Sequence, residues 1–130
     1  MLKVALLSAQ IGHYEKAYEI YENVATKFAE SALLKWSSKE YFFKAGLCRL
    51  CIGDMVAAKR NIENYDQIYA GFRDTREQKL LLNILLAFEE EDVDKFTKYI
   101  IDFDSISPLD AWMTSILAKV KENLKQDDLR

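Results

Sequence analysis

A short phrase occurs twice in this chain and limits its fold more than any other part of the sequence. It begins with glycine, places alanine five positions later, and places large residues four and seven positions beyond that alanine, over 12–24 and again over 53–65. Glycine accepts the left-handed conformation that ends many helices, and alanine lets a partner helix approach closely. The phrase therefore predicts antiparallel helical hairpins.

The spacing of the two copies indicates a variant of the tetratricopeptide pattern. Gly12 and Gly53 are 41 positions apart, whereas the standard repeat has about 34 residues, so longer helices are expected. A third, degraded copy over 91–96 carries Phe96 where the small residue should stand. Regular stacking is therefore expected to end there.

The predicted fold is all-α, with tetratricopeptide-like hairpins in an α-solenoid that ends in a C-terminal helical bundle. Residues 1–130 are expected to form one domain, with hairpins over 1–70, a capping bundle over 71–125 and a flexible acidic tail over 126–130. Seven helices are predicted from apolar periodicity and capping signals, over 2–10, 14–29, 33–52, 55–69, 75–91, 93–103 and 108–125. Ser107 as N-cap and Pro108 as first helical residue predict the start of the last one.

Composition supports a helical, soluble protein. Half of the residues are hydrophobic and 30% are charged, with four glycines and one proline. The net charge of -3 argues against nucleic acid as a partner. No apolar run reaches the ~18 residues that span a bilayer, and the amino terminus lacks the layout of a signal peptide. Two cysteines in one segment do not form a disulfide framework, so a cytosolic location is expected.

Candidate catalytic residues are few. Cys48 and Cys51 have C-x-x-C spacing, but they lie late in a predicted helix without further ligands, so buried packing is the expected role. His13 is a lone turn histidine, and no nucleotide-binding or hydrolase motif is present. We expect no catalytic residue, no metal site and no cofactor.

Two further features leave alternatives open. Trp36 lies between Lys35 and Lys39, and it suits either core packing or an exposed aromatic that grips a helical partner. The acidic run over 89–94 suits either a solvated turn or a docking patch for a basic partner.

Four phrases closely resemble the alpha type of soluble NSF attachment proteins: LLKWSSKEYFFKAGLC at 33–48, FRDTRE at 72–77, EEEDVD at 89–94 and DSISPLDAW at 104–112. The chain also closes with the Asp-Leu-Arg terminus typical of that family. Family members are more than twice as long, so the resemblance implies the C-terminal half. The N-terminal hairpins and their membrane-touching loop would be missing.

This resemblance implies an adaptor that performs no chemistry itself. In the family, several copies wrap a four-helix SNARE bundle of the syntaxin type. They also recruit the amino-terminal domain of the AAA+ ATPase NSF, which dismantles the bundle, and they stimulate its hydrolysis of ATP. The protein is expected in the cytoplasm, peripheral to membranes.

Carried over by position, the resemblance implies two sets of residues. The basic-aromatic set, expected to face the SNARE bundle, is Lys3, Leu33, Trp36, Lys39 and Arg76. The acidic set, expected to face the ATPase, is Asp54, Glu89 and Glu90, and Leu129 is expected to stimulate hydrolysis. The alternative functions are a generic tetratricopeptide scaffold that binds short peptides, and a thiol enzyme with a reactive cysteine.

Overall fold

The computed structural model describes the backbone of residues 2–128 and the side chains of residues 2–126. Within residues 2–128 it contains α-helices and two 3-10 turns and no strand, which confirms the predicted all-α fold. The helices are α1 (Leu2–Gln10), α2 (Tyr14–Glu30), α3 (Ser38–Ile52), α4 (Met55–Ile68), α5 (Arg76–Glu90), α6 (Val93–Ile106) and α7 (Ala111–Asp128).

The hairpins form where the repeated glycines predict them. Gly12 and Gly53 have φ angles of 85° and 95°, in the left-handed region. This conformation costs glycine little because it has no Cβ. The bounds of α1, α2, α4 and α5 agree with the predicted bounds to within one residue at each end.

Helix α3 lies at the centre of the molecule and packs against α2, α4, α5 and α7. Phe42 contacts Tyr65 of α4 and Phe72 of the 3-10 turn before α5, with ring centroids 5.0 and 5.7 Å apart. A Cβ on Gly46 would lie 2.7 Å from Cδ1 of Leu81. Glycine at that position therefore lets α5 approach α3 closely.

A half-buried charge network joins three consecutive helices. The Glu22 carboxylate of α2 accepts hydrogen bonds from Arg49 Nε (2.6 Å) and Nη2 (2.9 Å) of α3 and from the Tyr65 hydroxyl of α4. The guanidinium also stacks on the Tyr18 ring, 3.7 Å from its centroid. Burial of the guanidinium lowers the pKa of Arg49. The hydrogen bond to Glu22 and the coulombic interaction with Glu22 raise this pKa by more, so the net shift is upward. Arg49 is therefore charged, and the network fixes α2, α3 and α4 together.

The predicted start of the third helix at residue 33 is wrong. A 3-10 turn over Lys35–Ser37 precedes the helix, which begins at Ser38. Ser31 Oγ accepts a hydrogen bond from the Leu34 amide, and Ser38 Oγ donates one to the Lys35 carbonyl. Serine side chains that bind nearby backbone groups compete with α-helix formation. Residues 33–37 are therefore not part of the α-helix.

The predicted start of the last helix at Pro108 is also wrong. Asp110 is the residue that caps it, because its carboxylate accepts a hydrogen bond from the Met113 amide at 2.7 Å. The hydroxyl of Ser107 instead accepts a hydrogen bond from Arg76. The preceding helix runs three residues further than predicted, to Ile106, and α7 continues to Asp128, three residues beyond its predicted end at 125.

Candidate functional site

Two members of the basic-aromatic set lie in the loop between α2 and α3 and are strongly exposed. Leu33 is 89% exposed and Trp36 is 71% exposed. The Lys35 ammonium lies 5.5 Å from the centroid of the Trp36 ring, within the range of a cation–π contact. Core packing is therefore the wrong interpretation of Trp36, and its exposure is confirmed.

The two cations at the start of α3 and α5 are already engaged within the chain. Lys39 Nζ lies 4.0 Å from a carboxylate oxygen of Glu77. Arg76 donates hydrogen bonds to Ser107 Oγ at 2.6 Å and to the Phe103 carbonyl at 3.1 Å. The structure thus brings Lys39 and the start of α5 together, but Arg76 is half-buried and ties α5 to α6.

Lys3 is the remaining member of the basic-aromatic set. It is exposed near the start of α1, the short helix that pairs with α2. The contacts of the described residues do not join its side chain to Trp36, Lys39 or Arg76. Lys3 therefore belongs to this set by sequence position alone.

The acidic set lies where α4 begins and α5 ends. Asp54 caps α4 by accepting a hydrogen bond from the Ala57 amide at 3.1 Å. Glu89 pairs across the two helices with Lys59 of α4, at 3.3 Å. The structure therefore brings Asp54 and Glu89 to the same end of the molecule.

The turn between α5 and α6 extends the acidic end. Glu90 pairs with Lys95 of α6 at 2.6 Å, and this hydrogen bond raises the pKa of Lys95. Glu91 has a φ of 52°, and Asp92 caps α6 by accepting a hydrogen bond from the Lys95 amide. Each of these carboxylates is at a helix terminus, so the charge is concentrated at one turn.

The direction of α3 and α5 separates the two sets. These helices run parallel, because Lys39 pairs with Glu77 near their starts and Gly46 packs on Leu81 further along. Trp36 precedes α3, whereas Asp54 follows its end, and Glu89 lies in the last turn of α5. A helix of 15 residues that rises ~1.5 Å per residue spans about 20 Å. The exposed aromatic and the acidic set therefore lie at opposite ends.

Three residues of these surfaces were not predicted from the sequence. Lys59 and Lys95 pair with the acidic set, and Val56, 73% exposed, lies in a groove beside it. The pairing of Lys59 with Glu89 joins residues 30 positions apart, so local spacing carried no signal for it. The spacing of Glu90 and Lys95 across a turn was visible in the sequence.

The cysteines are packing residues, as predicted. Cys48 is fully buried, and Cys51 is buried with its thiol 3.6 Å from the Ile116 carbonyl. Burial raises the pKa of both thiols, that of Cys51 to about 12. Both thiols are therefore protonated at neutral pH, which does not favour nucleophilic chemistry.

The remaining sequence predictions concern His13, metal binding, membrane-spanning helices and Leu129. His13 is exposed in the turn before α2. Among the described residues, no group of acidic, histidine and cysteine side chains could hold a metal ion. None of the described helices is long and apolar enough to cross a bilayer. Leu129 lies outside the described residues.

Comparisons with known proteins agree with the phrases in the sequence. The model of the family described as "Soluble NSF attachment protein, SNAP" matches residues 1–125. The alpha-soluble NSF attachment protein of Mus musculus is 45% identical over 128 residues, which cover 98% of this chain and 43% of the mouse protein. The protein of that name in Dictyostelium discoideum is 44% identical over 127 residues, 98% of this chain and 44% of its own length.

A more distant relative carries a different name. The probable vesicular-fusion protein sec17 homolog of Schizosaccharomyces pombe is 38% identical over 130 residues, covering 98% of this chain and 45% of its own length. The chain thus spans less than half the length of these relatives.

Proposed function

Because this chain belongs to the soluble NSF attachment protein family, we propose that it is an adaptor that holds a SNARE bundle at one end and an NSF-type ATPase at the other. The chain spans 43% of the length of its mouse relative. The adaptor activity is therefore proposed for this part of the protein alone.

The observation that carries the proposal is the separation of the two sets along α3 and α5. An adaptor that binds two partners at once needs two surfaces that do not obstruct each other. About 20 Å of parallel helix lies between Trp36 and the acidic set of Asp54, Glu89 and Glu90. Two partners can therefore contact the chain at its two different ends.

At the first end, the chemistry suits a helical bundle. Leu33 and Trp36 offer apolar surface that becomes buried on binding, and aromatic anchors often dominate such contacts. Lys35 and Lys39 add positive charge beside them. We propose that the bundle presents acidic side chains to these lysines. Arg76 acts here by positioning, because its guanidinium holds the start of α5 against α6.

At the second end, the chemistry suits a basic partner, and we propose the amino-terminal domain of the ATPase. Glu89 and Glu90 are exposed and paired with lysines that are also exposed, and such pairs contribute only ~0.2–1 kcal/mol each. Arginine or lysine from a partner can therefore compete for these carboxylates at low cost. Because each contact is weak, several copies acting together add to the affinity of a single copy.

The adaptor requires no chemistry of its own. Its family is one of attachment proteins, and both cysteines are buried. We propose a cytoplasmic protein that meets membranes through its SNARE partner, with stimulation of ATP hydrolysis assigned to Leu129. Transmission of force would then depend on the stiffness of the packed helices.

Replacement of Trp36 by alanine tests the first surface. We expect Trp36→Ala to weaken binding to an assembled SNARE bundle by about 30-fold, because an exposed aromatic anchor is lost. The free energy of unfolding should change by less than about 0.5 kcal/mol, since Trp36 is 71% exposed. Titration calorimetry and chemical denaturation measure the two quantities.

The matched control is Ile101→Ala, which removes another exposed apolar side chain, 62% exposed, from α6. It should leave the affinity for the bundle unchanged. Equal affinities for the wild type and Trp36→Ala would contradict the assignment of this surface.

A further inference from the structure

An apolar groove lies between α4 and α5 at the acidic end of the molecule. It is lined by Met55, Val56 and Lys59 of α4 and by Leu85, Phe88 and Glu89 of α5, and its volume is about 420 Å³. Binding pockets in proteins commonly measure ~300–1,000 Å³. The groove is therefore large enough to receive at least one apolar side chain.

The exposure of the groove's residues shows where a side chain could enter. Val56 is 73% exposed, and Leu85 and Phe88, at 5% and 7%, are buried. An exposed valine alone would be ordinary, but this one borders a cavity with an apolar floor. The ion pair of Lys59 and Glu89, 3.3 Å apart, forms the polar edge.

The charge around the groove restricts what can occupy it. The segments 52–59 and 85–95 contain six carboxylates and two lysines. Both lysines already pair with glutamates in the chain. The surroundings are therefore strongly negative, which repels an acidic partner and attracts a basic one.

We propose that this groove binds an apolar side chain of the ATPase amino-terminal domain that is flanked by arginine or lysine. This inference rests on the proposed function and adds an apolar subsite to its second surface. The basic residues of the partner meet Asp54 and the glutamates, and the apolar side chain packs between Val56 and Phe88. The carboxylates orient the partner, and the groove supplies contact that salt does not screen.

The substitution Val56→Asp separates this proposal from a purely electrostatic one. A purely acidic surface would bind a basic partner more tightly after gaining another carboxylate. An apolar groove would bind more weakly, because a charged group would stand at its mouth. Val56 is the second residue of α4, where an acidic side chain is favourable to the helix, so the fold should persist.

The experiment measures the affinity of the 130-residue chain for the isolated ATPase amino-terminal domain. We expect Val56→Asp to weaken binding about tenfold. The control, Asn64→Asp, adds the same charge at an exposed position of α4 outside the groove and should not weaken binding. A second variant, Val56→Ser, should reduce affinity by the same factor at ~0.05 M and ~0.2 M salt, since apolar contact is not screened.

The possible outcomes test the apolar groove separately from the adaptor function on which it rests. If the wild type binds and Val56→Asp binds equally or more tightly, the groove is not a subsite, and the adaptor function stands. If the wild type does not bind the domain at all, the second surface of the adaptor is refuted, and the proposal that the groove binds this domain is refuted as well. Loss of binding by Val56→Asp but not by Asn64→Asp supports both.

Discussion

The double substitution Glu89→Lys with Glu90→Lys is expected to abolish recruitment of the ATPase amino-terminal domain and to leave SNARE binding intact. It removes the whole excess of negative charge over 52–59 and 85–95. It also places lysines beside Lys59 and Lys95, which lose their partners. Like charges across an interface cost several kcal/mol, so the affinity should fall at least ~100-fold.

A suitable control makes the same change of charge elsewhere. Glu19→Lys with Glu63→Lys alters two exposed glutamates inside α2 and α4, away from the ends of these helices, and should not abolish recruitment. Pull-down with the isolated ATPase domain and with an assembled SNARE bundle measures both activities. Loss of both activities, or of neither, in the Glu89 and Glu90 variant would contradict the separation of the two surfaces.

The largest effect on stability is expected from Glu22→Gln. This change keeps the shape of the side chain but leaves Arg49, whose side chain is 15% exposed, without its counter-charge. Glutamine also offers one acceptor oxygen where the carboxylate offers two to Arg49 and Tyr65. Hydrogen bonds to charged groups contribute about 1.5–3 kcal/mol each, so the free energy of unfolding should fall by about 2–4 kcal/mol.

Chemical denaturation of the wild type and of Glu22→Gln measures this loss. Glu19→Gln is the matched control because Glu19 is exposed on the same helix, and its effect should stay within about 0.5 kcal/mol. A loss below 1 kcal/mol for Glu22→Gln, on the order of a surface ion pair, would mean that the network does not hold the hairpins together.

The hairpins could be predicted from sequence because their signals are local. Gly12 and Gly53 each end a helix, and Asp54 caps the helix that follows within three residues. The starts of α3 and α7 were mispredicted because serine and aspartate side chains bind nearby backbone groups there. Ser31 and Asp110 accept hydrogen bonds from backbone amides, and Ser38 donates one to a backbone carbonyl. Apolar periodicity does not reveal these contacts.

The candidate surfaces could be predicted only in part. Resemblance supplied Trp36 and Glu89, and the direction of α3 and α5 placed them at opposite ends. The engagement of Arg76 with Ser107 joins residues 31 positions apart, which spacing along a helix cannot indicate. The groove beside Val56 likewise needs two helices to exist, so a sequence alone contains no signal for it.

Simultaneous binding of both partners tests the adaptor most directly. An assembled SNARE bundle is immobilised, the 130-residue chain is added, and retention of the soluble ATPase amino-terminal domain is measured as salt is raised. We predict that the domain is retained only when the chain is present, and that retention falls as salt screens the charged contacts. If each partner instead displaces the other from the chain, the two ends do not act as separate binding surfaces.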